Sequence, residues 1–155
     1  MNRQKLSQQV MGAMLTTLLL VGCGAPAATP TPIPPTATPT QAFTLATSAE
    51  EIVGTWQRGR VGDAGYIRFD EDGTRRGAYA LNKLDSQPYA INSYQFEGTK
   101  MVTTEISVSG VPSCGEKIGS YEIRLLESGN IRIVVLEDEC SHRAGSFAGE
   151  YEPVR

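Results

Sequence analysis

Ile118-Gly119-Ser120-Tyr121-Glu122-Ile123-Arg124-Leu125-Leu126 places Tyr121, Ile123 and Leu125 on one face of an extended chain and Glu122 and Arg124 on the other. A period of two is what a strand covered on one side requires. Ser128-Gly129-Asn130 then offers a turn, and residues 131–136 resume as a second apolar-rich run. The same alternation continues outward from this hairpin. Upstream, it predicts strands over 100–108, 89–96, 74–81, 66–69 and 52–57, with Ile67 and Phe69 sharing a face. Turns fall at Glu97-Gly98 and at Asp72-Gly73, where both residues tolerate a positive φ. Downstream, residues 149–154 close the chain. A longer loop over 109–117 carries Pro112 and Cys114, and residues 141–147 suit one helical turn.

Eight strands at spacings near ten residues, joined mostly by hairpins, predict an all-β fold. Consecutive antiparallel strands with one apolar face close most simply into a small up-and-down barrel, which also removes open edges. The competing arrangement is an open sandwich of two sheets.

The first forty residues follow another logic. Arg3 and Lys5 precede a short apolar run over 10–21, which ends in Gly22-Cys23-Gly24. A spanning helix needs about 20 apolar residues, so this run reads as a signal-peptide core covering residues 1–22. From Ala25 to Thr40 the chain holds six of its nine prolines, interleaved with threonines. Proline fixes φ and supplies no backbone donor, so residues 23–45 are expected as a disordered, extended tether. The folded domain is then 46–155, a length that suits one core.

Without Arg3 and Lys5 the chain keeps 12 basic against 17 acidic residues, a balance of −5. That argues against nucleic acid as a partner, which needs a basic patch. Cys114 and Cys140 are 26 positions apart in a chain read as exported, and a disulfide is expected between them. A metal pair or a redox pair are the alternatives, but there is no CxxC spacing and His142 is the only histidine.

Groups that carry chemistry are sparse. A nucleophile–histidine arrangement would have to use His142, which lies two residues after Cys140 in a loop. Zinc needs three or four nitrogen or sulfur ligands, which are lacking with the cysteines bridged. Asp70-Glu71-Asp72-Gly73 lacks the remaining ligands of a calcium loop and reads as a polar hairpin end. Glu137-Asp138-Glu139 reads as a charged strand end. Arg75 and Arg76 would face opposite ways on a strand, so they do not form a joint anion pocket. No enzyme activity, cofactor or metal is expected.

Two resemblances add to this reading. Leu20-Val21-Gly22-Cys23 resembles the bacterial lipobox. The resemblance implies cleavage before Cys23, acylation of its thiol by palmitate-type chains, and a lipoprotein of the cell envelope anchored to a membrane and facing the periplasm or the exterior. Ile52-Val53-Gly54-Thr55-Trp56 resembles the opening of bacterial lipocalin-like lipoproteins, with the Gly-x-Trp signature of the calycin group. That resemblance implies a barrel in which Gly54 bends the first strand, Trp56 plugs the closed end, and a basic residue near the last strand lies across the indole. Arg143 is the candidate for that residue.

Two functions follow. The first is a lipocalin-like binding domain for a small apolar ligand or lipid, with Phe69, Tyr79, Tyr94 and Tyr121 as candidate lining residues. The second is a protein-binding or inhibitory envelope module acting through loops 109–117 and 141–148, stapled by the disulfide. The state of the interior separates them: an empty, apolar, open-mouthed barrel suits the carrier, and a packed one suits the module.

Overall fold

A computed structural model describes residues 42–59 and 65–155. The signal-peptide reading of residues 1–22, the lipid site at Cys23 and the tether up to residue 41 lie outside the described residues. Nine strands form one antiparallel sheet: β1 (Phe43–Leu45), β2 (Gly54–Arg58), β3 (Tyr66–Phe69), β4 (Thr74–Ala78), β5 (Ala90–Glu97), β6 (Lys100–Val108), β7 (Gly119–Leu126), β8 (Ile131–Asp138) and β9 (Gly149–Pro153). One short helix, α1 (Ser141–Phe147), precedes β9.

Strands β2 to β9 pair each with the next, and β9 also pairs with β2. The ring therefore closes as an eight-stranded up-and-down barrel. This is the architecture expected from the alternation, and it is consistent with a calycin-like fold. The open sandwich is excluded by the β2–β9 and β8–β9 pairings. Gly54 starts β2 at a φ of 138°, which residues with a side chain rarely adopt.

The ninth strand was not foreseen. Phe43–Leu45, within the stretch read as tether, pairs with β7 at Leu126, Leu125 and Arg124. It takes the edge of β7 that β6 leaves uncovered, since β6 pairs only with residues 119–122 of β7. Arg124 sits 4.5 Å from the centroid of the Phe43 ring and fastens the strand from outside.

The two ends of the barrel differ. At one end lie β1, a 3-10 turn at Ala49–Glu51, and the tight hairpins after Phe69, Glu97 and Leu126. At the other lie the longer connections 79–89 and 109–118, together with α1. Between them the inward residues form one cluster that includes Trp56, Phe69, Tyr94, Met101, Tyr121, Ile123, Ile133, Phe147 and Tyr151. Burial of such side chains stabilises a fold by about 1.5–3 kcal/mol each.

Candidate functional site

The cluster has an aromatic side chain towards each end. At the hairpin end, the Trp56 indole turns back and its Nε1 donates to Ile52 O at 2.8 Å. At the opposite end α1 lies across the mouth and inserts Phe147. The Phe147 ring packs edge-on against Tyr121, with centroids 4.8 Å apart, and lies 6.3 Å from Phe69. Tyr151 Oη donates to Phe147 O at 2.9 Å, and Arg58 Nη1 to Ser146 O at 2.9 Å, so the helix C-terminus is fixed to β9 and β2.

The start of α1 is held more firmly still. Cys114 and Cys140 form the expected disulfide, with Cα atoms 5.6 Å apart, and it joins the 109–118 loop to the helix. Glu105 on β6 grips the same loop, accepting from Ser113 Oγ and from the Cys114 amide at 2.7 Å. Asp138, at the end of β8, accepts from Arg143 Nε and Nη2 at 2.8 Å each, from the Cys140 amide at 2.7 Å, and from Tyr121 Oη. Arg143 Nη2 also donates to Lys117 O at 2.9 Å.

The Asp138 carboxylate has no exposed surface and the Arg143 side chain only 4%. Burial pushes the Asp138 carboxyl up, but the hydrogen bonds from Arg143, Tyr121 and Cys140 outweigh it and hold the group below its ordinary value. Desolvation, followed by the bond to Asp138, pushes the Tyr121 phenol well up. Space for the carboxylate comes from Gly119, where a Cβ would stand 2.6 Å from Asp138 Oδ2.

One expectation is corrected here. Arg143 does not cover Trp56. It lies at the helix end of the barrel, and the indole is folded back towards Ile52 at the other. An antiparallel closing strand starts at the far end of its neighbour, so a residue just before β9 meets the Arg58 end of β2. The planar guanidinium also finds a carboxylate fork there, a stronger partner than a ring face. The aromatic partner of a buried cation is instead Phe147, with Arg75 Cζ 4.2 Å from its centroid.

The candidate ligand-lining residues stand in different surroundings, and Phe69 also borders a hollow at the hairpin end of the barrel. Phe69, Tyr94 and Tyr121 are buried in the packed cluster; Phe69 and Tyr94 meet edge-on at 5.1 Å, and Tyr94 Oη donates to Asp70 O. Tyr79 is 71% exposed and stacks on Tyr89 outside the barrel. Asp138 does end the charged strand β8, but its carboxylate is the centre of the buried polar cluster.

One cavity lies beside α1. It has a volume of about 20 Å³ and is lined by residues including Arg75, Tyr89, Asn92, Glu105, His142 and Arg143. Two wider hollows, of about 430 and 410 Å³, open on the surface of the opposite end around Val53 and Glu71. At the Asp70–Gly73 hairpin, Asp70 pairs with Arg68 and Arg76, and Asp72 accepts from the Thr74 amide. Among the described residues no cluster of three or more His, Cys, Asp or Glu is set to hold a metal ion, and no helix is long and apolar enough to cross a membrane.

The burial of Arg75, Asn92 and the Asp138 carboxylate escaped sequence reasoning, which read Arg75 and Arg76 as facing opposite ways and Asp138 as part of a charged strand end. The β4 run Thr74-Arg75-Arg76-Gly77 has no apolar member to mark its inner face, so the inward arginine had no signature. No known protein family matches this chain, and neither does any curated protein or solved structure.

Proposed function

We propose that this protein is a membrane-anchored extracytoplasmic binding module that recognises a partner protein with the disulfide-stapled end of its barrel. The observation that carries the reading is the filled interior. The barrel is compatible with a ligand-binding domain of the calycin type. However, aromatic and aliphatic side chains occupy the space an apolar ligand would take, and Trp56 and Phe147 stand towards its two ends. The cavity beside α1, at about 20 Å³, has room for only one or two water-sized groups.

The stapled end has the features of a recognition surface. Its loops are held by a disulfide, a buried ion pair and Glu105, so little ordering is left to oppose binding. Five of the seven large apolar residues exposed among the described residues lie in this half: Tyr79, Leu81, Ile106, Ile118 and Leu136. Ile106 and Leu136 stand at the irregular steps of the β5–β6 and β7–β8 ladders, where a bulge turns a side chain outward.

The anchor is the lipid on Cys23, with the proline-rich segment after it holding the domain off the membrane. Support comes from the Leu20-Val21-Gly22-Cys23 motif and the short apolar run before it. The module has no catalytic role in this reading.

Photo-crosslinkers placed at Glu116 and Gly145, in the cells that make the protein, test the proposal. A defined adduct from these positions, absent from Thr99 at the opposite end, is expected. Equal labelling from both ends, or labelling from Thr99 alone, overturns it. Intact mass of the membrane-extracted chain tests the anchor, which requires a chain starting at Cys23 and carrying acyl mass.

A further inference from the structure

The wall of the cavity beside α1 carries a cation, Arg75, that is bonded to no carboxylate among the described residues. Arg75 points inward from β4 and is 4% exposed. Its Nη2 donates to Asn92 Oδ1, and its guanidinium lies over the face of Phe147. Both partners are uncharged, and among the described residues no carboxylate is bonded to it. The nearby acids are committed elsewhere: Asp138 to Arg143, Tyr121 and the Cys140 amide, and Glu105 to Ser113 and the Cys114 amide. Arginine does not escape the problem by losing its proton. A buried charge without a counter-charge is strongly destabilising.

Two donors on this wall are also unused. Arg75 Nε and Arg143 Nη1 are both buried and both lack a hydrogen-bond partner. Arg75 and Arg143 line the same space of about 20 Å³. That is room for about one or two water-sized groups.

We infer that this cavity binds one small monovalent anion, a halide ion or a single carboxylate group, between Arg75 Nε and Arg143 Nη1. The anion supplies the missing counter-charge for Arg75 and accepts from both orphaned nitrogens. It leaves the Arg143–Asp138 pair intact, because Arg143 offers Nη1 while Nε and Nη2 stay on the carboxylate. This site does not depend on what the stapled loops dock against.

The test uses the full chain, chloride and formate as probes, and bulky gluconate as the inert reference at constant ionic strength. Chloride is expected to raise the melting temperature over gluconate by about 4 °C or more at saturation. It should also broaden the chloride magnetic-resonance line in a saturable way, and Arg75→Gln should abolish both effects while Arg155→Gln keeps them. Formate that displaces chloride identifies a site that also accepts a carboxylate. Formate without effect identifies a halide site. If Arg75→Gln does not fold, bromide anomalous scattering from crystals of the unsubstituted chain locates the ion directly. No scattering peak between Arg75 and Arg143, together with equal melting in chloride and gluconate, overturns the inference.

Discussion

Arg143 and Asp138, five positions apart, face each other across the junction of β8 and α1, with Arg143 Nε and Nη2 each 2.8 Å from a different oxygen of Asp138. The pair is buried, so its value depends on its being complete. Removing one partner strands the other in a low-dielectric site at about 3–5 kcal/mol, whereas replacing both with apolar residues is often tolerated. Asp138→Asn and Arg143→Met should each lower the urea midpoint severely, and Asp138→Leu with Arg143→Met should recover most of the loss. Additive losses in the double variant would mean that the two side chains are not coupled. Neither single variant should alter the environment of Trp56, which lies at the other end.

The same pair sets a pH dependence. Asp138 is held below its ordinary value of 3.8 by its hydrogen bonds, despite the opposing effect of burial. A carboxyl whose pKa is depressed on folding stabilises the protein above the unfolded value and loses that contribution as pH falls through the folded value. Stability should therefore be steady from neutral pH down to about 4 and fall steeply below it. Asp138→Asn should start less stable and show a flatter acid limb. Urea midpoints measured across this range decide the matter, and an identical acid slope in the variant would remove Asp138 as its source.

How far the sequence revealed this arrangement varies from residue to residue. The strands were legible because Tyr121, Ile123 and Leu125, or Ile67 and Phe69, alternate with polar residues, and period two survives any tertiary context. The bridge was legible because Cys114 and Cys140 had few other roles open to them. Short β1 was not, since Phe43-Thr44-Leu45 has no pattern of its own and is ordered by the edge that β7 offers. The partner of Arg143 was misplaced because proximity in sequence to β9 does not say which end of the barrel a residue reaches. Arg75 was hidden because an inward arginine violates the pattern used to find inward residues.

The disulfide gives a further test. Cys114 and Cys140 are 26 positions apart, and a loop of that size is stabilised on closure by about 3.5 kcal/mol on the chain-entropy account. Under non-reducing, denaturing conditions neither cysteine should react with a thiol reagent. Cys114→Ala with Cys140→Ala should lose about that much stability and loosen the 109–118 loop in hydrogen exchange, while β3 and β4 stay protected. A stoichiometric free thiol at either position would contradict the staple.

The central claim is that the barrel is filled and that recognition happens at its stapled end. Trp56, the only tryptophan, reports on this directly from the hairpin end. Titrating the unlipidated chain with a neutral apolar naphthylamine dye, with energy transfer from Trp56 as the signal, measures whether the interior admits a guest. The account predicts blue-shifted emission, weak quenching by iodide, and no saturable transfer to the dye. Stoichiometric, saturable transfer displaced by an apolar ligand would show an open interior and contradict it.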